Sequence, residues 1–143
     1  MAEHDLIKLA REWIHAFNTG EWEKMKHHMV PDSHYNELGT QRRIEGQDQI
    51  IQAFRGWKQA LPDAKGTVTN AFGGGNTVAL EITWEGTHKG PLVTPGGTIP
   101  PSGKRQVTSA AMIVTFQGEK IKESRQYFDM LTFLQQIGAA PKV

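Results

Sequence analysis

Towards its C-terminus the sequence runs Ile121-Lys122-Glu123-Ser124-Arg125-Gln126-Tyr127-Phe128-Asp129. In an extended backbone this sets Ile121, Glu123, Arg125, Tyr127 and Asp129 on one face and Lys122, Ser124, Gln126 and Phe128 on the other. Arginine, phenol and carboxylate in one interior space are costly to bury unless they pair or bind something. A carboxylate so placed can take a proton from a substrate and return it. Asp129 is therefore the first candidate for a catalytic acid/base residue, with Arg125 and Tyr127 as candidate substrate contacts. Neither set is cleanly apolar, so alternation leaves open which face is inward. A structural ion pair between Arg125 and Asp129 is the competing reading. His88 ends the mostly apolar run Val78, Leu80, Ile82 and Trp84, and is read either as a second catalytic residue or as a satisfied structural histidine. Tyr35, Phe54, Trp57 and Trp84 are core residues or the walls of a small-molecule pocket, which is built from the same residue types.

Other chemistries lack the spacing they need. Gly73-Gly74-Gly75 lies between two alternating runs, without the helix N-terminus that would hold a phosphate. The stretch Gly97-Thr98-Ile99-Pro100-Pro101-Ser102-Gly103-Lys104 has five residues between its glycines where a phosphate-binding loop has four, and Arg105 stands where that loop needs a hydroxyl. His27 and His28 are adjacent on a helix and point apart, no HExxH occurs, and His4 and His15 fall on the polar side of the first helix, so no metal site is expected. No serine sits in a GxSxG elbow.

The elements that must position these residues are legible as changes of period. Leu6, Leu9, Ala10, Trp13, Ile14 and Phe17 recur at helical spacing and stop at Asn18-Thr19-Gly20. Trp22, Met25 and Met29 predict a shorter helix ending near Pro31, and His34 to Leu38 a short strand. Ile50, Phe54, Trp57 and Leu61 mark a third helix closed by Pro62. Alternation then takes over: a strand around Thr67 to Phe72, a Gly73-Gly74-Gly75-Asn76 turn, a long strand from Val78 to His88, another from Lys104 to Phe116, a turn at Gln117 to Lys120, and a last strand to Asp129. Leu131, Leu134 and Ile137 predict a short C-terminal helix. Helices first and hairpin-joined strands later imply an α+β fold with the helices over one face of a curved antiparallel sheet. Lys89 to Gly103, rich in Gly and Pro, is longer than an ordinary hairpin connection and is read as a pocket rim or a mobile loop.

A chain of 143 residues suits one domain spanning 1–143, long enough to enclose a core and a cavity. Sixteen basic residues against fifteen acidic ones, scattered along the chain, argue against a nucleic-acid partner. No run approaches membrane-spanning length, the N-terminus does not read as a signal peptide, and the absence of Cys removes disulfides and thiolate chemistry. A cytoplasmic protein fits these features.

Six segments then carry a resemblance: Leu61-Pro62-Asp63, Trp84-Glu85-Gly86-Thr87-His88-Lys89-Gly90, Ile99-Pro100-Pro101-Ser102-Gly103-Lys104, Gly118-Glu119-Lys120-Ile121-Lys122-Glu123, Asp129, and Gln135-Gln136-Ile137-Gly138. In this order and spacing they resemble the SnoaL-like polyketide cyclase (ester cyclase) family of the NTF2-like superfamily, over about residues 5 to 138. The resemblance implies a cone in which a bent sheet wraps over the first helices around an internal pocket, and a homodimer or higher homo-oligomer packed through the sheet. It implies that the face bearing Asp129 is inward and that this carboxylate moves a proton on a carbonyl-activated carbon, in an aldol cyclisation or isomerisation needing neither metal nor organic cofactor. His88, Arg125 and Tyr35 would orient the substrate. The sequence departs from the family where it reads Ile113-Val114-Thr115 in place of a His, and at Arg125, where relatives are commonly aromatic. An Arg beside Asp129 would keep the carboxylate ionised. This combination is also similar to the limonene-epoxide-hydrolase-like branch, although Glu81 and Glu85 fall on the strand face opposite Leu80, Ile82 and Trp84. A non-catalytic small-ligand-binding or accessory protein is the alternative from a different class.

Overall fold

The computed structural model describes residues 3–140. Helix α1, Glu3–Thr19, buries Leu6, Ala10, Trp13, Ile14 and Phe17 along one face, and each large side chain so buried contributes about 1.5–3 kcal/mol. Gly20, at φ +72°, ends it. Helix α2, Trp22–His27, buries Met25; Met29 belongs instead to strand β1, Met29–Glu37. Strand β2, Arg42–Glu45, follows a tight turn and leads through Gly46 into helix α3, Gln47–Ala60, which buries Ile50, Ile51, Phe54 and Ala60. The long strands are β3, Lys65–Gly74, and β4, Thr77–Thr87, then β7, Arg105–Gln117, and β8, Lys120–Phe128; helix α4, Met130–Gln136, ends the fold.

Six strands form one sheet in the order β2-β1-β8-β7-β4-β3. All neighbours are antiparallel except β1 and β8, which run parallel with Tyr35 opposite Ser124 and Glu37 opposite Gln126. The expected antiparallel sheet is thus mixed by one pair, because the chain crosses through α3 and the hairpins before returning beside β1. The core lies between α1, α3 and the concave face of this curved sheet, around Trp13, Tyr35, Ile50, Leu80, Ile82, Met112 and Ile121.

Two further expectations are corrected. The segment from Lys89 to Gly103 contains a small hairpin, β5, Leu92–Thr94, and β6, Gly97–Ile99. It is tethered: Leu92 is buried in the core, and the amides of Lys89 and Gly90 both donate to the Ala60 carbonyl at 3.0 Å. Strands of three residues are too short for alternation to register. The second correction concerns β8. Phe116 pairs with Ile121 but Thr115 pairs with Glu123, so Lys122 is an extra residue on β8. Such a bulge flips every later side chain to the other face. Ile121 is buried, and beyond the bulge the buried positions are Ser124 and Gln126. The face bearing Arg125, Tyr127 and Asp129, expected inward, is outward.

Candidate functional site

A cavity of about 80 Å³ lies between α1, α3 and the concave face, several times the roughly 10–15 Å³ that one water requires. Its walls are aromatic, and the rings fix one another edge to face: Tyr35 on Phe54 with centroids 5.0 Å apart, Phe17 on Trp84 at 5.1 Å, and Trp57 on Phe133 at 5.5 Å and on Phe128 at 6.1 Å. Two glycines make room for this wall. A Cβ on Gly66 would lie 2.5 Å from the Trp84 ring, and one on Gly39 would lie 2.6 Å from the Phe128 ring. Trp57 and Phe128 are half-buried, so this end of the cavity reaches the surface.

A polar chain crosses the aromatic wall. Trp84 Nε1 donates to Gln126 Oε1 at 2.7 Å, Gln126 Nε2 to the Tyr35 hydroxyl at 2.8 Å, and that hydroxyl to Glu37 Oε2 at 2.9 Å. Trp57 Nε1 reaches the same Glu37 oxygen at 2.9 Å. Glu37 Oε1 accepts from Thr40 Oγ1 at 2.6 Å and from Arg42 Nη2 at 2.7 Å and Nε at 3.2 Å. The Glu37 side chain is fully buried, while Arg42 is 27% exposed. A buried carboxylate needs this full complement of donors. Burial, reinforced by the neighbouring Glu37 charge, pushes the Tyr35 hydroxyl well above its ordinary value. A second polar pair on the lining, Thr108 Oγ1 donating to Gln106 Oε1 at 2.7 Å, lies on β7.

The structure brings Tyr35, Phe54, Trp57 and Trp84 together around the cavity. It does not bring Arg125, Tyr127, Asp129 and His88 to it. Arg125 pairs with Glu123, which also receives His34 Nε2 at 3.0 Å, and Tyr127 is exposed. The Arg125 to Asp129 ion pair of the competing reading is absent among the described residues, and with it the convergence of Arg and Asp on which the epoxide-hydrolase likeness rested. Asp129 is exposed and caps α4: Oδ2 accepts from the Thr132 hydroxyl at 2.6 Å and Oδ1 from the Thr132 amide at 3.1 Å. Those two bonds, the hydroxyl's first, hold its carboxyl below the ordinary aspartate value. Asp129 nevertheless adjoins Phe128 and lies one helical turn from Phe133, both on the cavity wall.

His88 is buried, but at the base of the β5–β6 hairpin. Its Nδ1 accepts from the Ser102 amide at 3.2 Å and lies 3.0 Å from the Ser102 hydroxyl, so the ring proton of the neutral form sits on Nε2. Nε2 is buried without a partner among the described residues. Burial lowers the imidazole below its ordinary value. Sequence reasoning missed Glu37 and Gln126. Glu37 was findable, since alternation sets it on the face of Tyr35; Gln126 was hidden by the β8 bulge. Among the described residues no group of three or more His, Cys, Asp or Glu stands close enough to hold a metal ion, and no helix is long and apolar enough to cross a membrane.

Known proteins match this arrangement at the level of fold. A proposed SnoaL-like polyketide cyclase from Jannaschia sp. CCS1 superimposes with a TM-score of 0.86 at 20% identity, covering 97% of this chain and 95% of that one. AclR, a proposed hydroxylase from Streptomyces galilaeus, gives 0.82 at 22% identity over 99% and 90%. IdmH, a proposed polyketide cyclase from Streptomyces antibioticus, gives 0.77 at 22% over 92% and 96%. A protein of ketosteroid isomerase-like fold from Catenulispora acidiphila gives 0.78 at 20% over 93% and 93%. None of the curated protein sequences compared with the chain matches it. The family model that matches covers residues 7–137, nearly all of the helices, sheet and cavity described above, and by it the chain belongs to the SnoaL-like polyketide cyclase family.

Proposed function

We propose that the chain is a cofactor-independent acid/base enzyme that moves a proton on a neutral, carbonyl-rich or aromatic small molecule held in the cavity, as in an aldol cyclisation or an isomerisation. The observation that carries this reading is the electrostatic state of Asp129. Glu37, bonded into the cavity wall, is held by Arg42, and Glu85, on the lining, by Arg105, whereas Asp129, outside the lining, has no cationic partner among the described residues. Its charge is met by neutral donors, chiefly those of Thr132, beside the aromatic end formed by Trp57, Phe128 and Phe133. A carboxyl below the ordinary value is a weak base. It suits a carbon already acidified by two carbonyls, where the protein need only place the C–H against an ionised group. Tyr35, Phe54 and Trp84 complete the apolar wall against which an aromatic substrate packs. The likeness to IdmH and to the Jannaschia protein supports the cyclase side of the reading.

Binding without conversion is the second reading, favoured by the exposure of Asp129 and by its engagement as a helix cap. Asp129→Asn separates the two, because Asn caps a helix about as well as Asp but takes up no proton. Turnover of β-keto esters, 1,3-diketones and quinones is the readout. The variant is expected to bind as before and to lose turnover; undiminished turnover in Asp129→Asn removes the acid/base reading, and binding without turnover by the unaltered protein establishes the second. Homodimerisation through the sheet is part of the same proposal, supported by Ala79, Ala111 and Ile113 at the centre of the outer face with Val107 and Tyr127 exposed beside them. Light scattering is expected to report twice the chain mass, and Ile113→Glu to halve it.

A further inference from the structure

The hydrogen atoms of the polar chain across the cavity wall have no freedom of direction. An indole N–H can only donate, so the Gln126 atom that faces Trp84 Nε1 at 2.7 Å must be the amide oxygen. The amide nitrogen then faces Tyr35, 2.8 Å away, and must donate to its hydroxyl oxygen. The single hydroxyl hydrogen of Tyr35 goes to Glu37, which has no hydrogen to give back and receives a second indole from Trp57 on the same oxygen. Two tryptophans at the ends of the chain thus polarise it from both sides towards the Glu37 carboxylate. Tyr35 is spent within it and is fully buried. Gln126 is 8% exposed, lies on the cavity wall, and has one amide N–H left over.

We infer that Gln126 is the specificity-determining residue of the cavity: locked by Trp84 and Tyr35, it presents a hydrogen-bond donor to the lumen and selects a ligand whose carbonyl oxygen accepts from its Nε2–H. The inference rests on the cavity being the ligand site, as proposed above, but not on conversion of the ligand. The selected class is a compact, mainly apolar ketone or enone, since the rest of the wall is mainly aromatic and aliphatic; its polar exceptions are Glu85, the bonded pair Thr108 and Gln106, and Trp13 Nε1, which has no partner among the described residues. For the proposed reaction the consequence is geometric. A carbonyl held at Gln126 on β8 leaves the rest of the molecule to extend along the Trp57, Phe128 and Phe133 end towards Asp129, and hydrogen bonding at that oxygen helps to carry the charge that builds on it when the neighbouring carbon loses a proton. Gln126 is thereby a positioning residue for substrate orientation, with Trp84 fixing which end of its amide is shown.

Three probes of one skeleton test this: acetophenone, which accepts; 1-phenylethanol, which also donates; and ethylbenzene, which does neither. Affinities are measured by NMR titration for the unaltered chain, Gln126→Leu and Trp84→Phe, with thermal melts to verify folding. The unaltered chain is expected to bind acetophenone about fivefold tighter than ethylbenzene, the size of one neutral hydrogen bond. Gln126→Leu should bind the two equally. In Trp84→Phe the amide is free to turn its oxygen inward, so 1-phenylethanol should bind at least as well as acetophenone. Equal affinity for acetophenone and ethylbenzene in the unaltered chain overturns the role of Gln126 while leaving the cavity reading in place. Retention of the acetophenone preference in a folded Gln126→Leu or Trp84→Phe does the same. Failure of all three probes to bind removes the cavity reading, and this inference with it.

Discussion

Glu37 has the most demanding environment in the molecule, and Glu37→Gln tests whether the polar chain is as rigidly directed as its geometry requires. The carboxylate accepts five hydrogen bonds, from Tyr35, Trp57, Thr40 and twice from Arg42. An amide of the same shape must turn its NH2 either towards Tyr35 and Trp57 or towards Thr40 and Arg42. The hydroxyls of Tyr35 or Thr40 can rotate to accept, but the indole and the guanidinium cannot. Each orientation therefore leaves at least one obligate donor facing another. An unsatisfied buried donor costs about 1–3 kcal/mol, and breaking a buried ion pair about 3–5 kcal/mol. Arg42 keeps 27% of its surface in water and recovers part of its solvation, so a net loss of about 2–4 kcal/mol is expected. For a chain of this length that corresponds to a fall in Tm of roughly 8–15 °C. Urea unfolding at neutral pH, followed by tryptophan fluorescence, gives the free energy, and an unchanged m-value certifies that the same surface is being exposed. A loss below about 1 kcal/mol with m unchanged would refute the reasoning, because it would mean that the donors around Glu37 find other partners at little cost.

Stability should fall in two steps on acidification. His88 and His28 are both held by burial below their ordinary 6.5, so the unfolded chain binds their protons first and stability declines as pH drops below 6.5 towards the folded values; His88→Gln should make this step smaller, and a flat profile in the unaltered chain between about pH 6.5 and 5 would contradict it. Glu123 and Asp129 are also lowered, chiefly by Arg125 and by the Thr132 hydroxyl, as are Asp32 and Asp63, so their contribution is present above their ordinary 4.5 for Glu and 3.8 for Asp and is lost as pH falls through the folded values; Glu123→Gln should make that limb shallower in urea titrations. The pH–rate profile of any reaction based on Asp129 should stay level on the acid side down to about pH 5, and a midpoint near pH 6 would show a raised carboxyl instead. Gly66→Ala drives a Cβ to within 2.5 Å of the Trp84 ring, and is expected to cost about 1–3 kcal/mol and to alter the near-ultraviolet circular dichroism; an unchanged spectrum and melting temperature would show that the ring has room to move.

The sequence alone determined the order and type of the large elements. Helical spacing from Leu6 to Phe17 and from Ile50 to Leu61, followed by alternation from Thr67 onwards, reports burial of one helix face or one strand face, and that is a local property of the chain. The six family segments determined the family for a related reason, since they keep their order whatever the three-dimensional contacts. Tyr35, Phe54, Trp57 and Trp84 were legible as a wall because large aromatic residues have few alternatives to the interior. What only the tertiary structure decided was phase and partnership. One extra residue at Lys122 reverses β8, moving Arg125 and Tyr127 to the outer face and Gln126 to the inner one. No local pattern encodes such a bulge, because it is defined by pairing with β7. The parallel pairing of β1 with β8 sets Glu37 beside Gln126, although 89 residues separate them in the chain. Asp129 was found by its residue type and its family position. Its exposure, its helix-capping bonds and its freedom from Arg125 follow from where β8 stops and α4 begins, which depends on packing between segments distant in sequence.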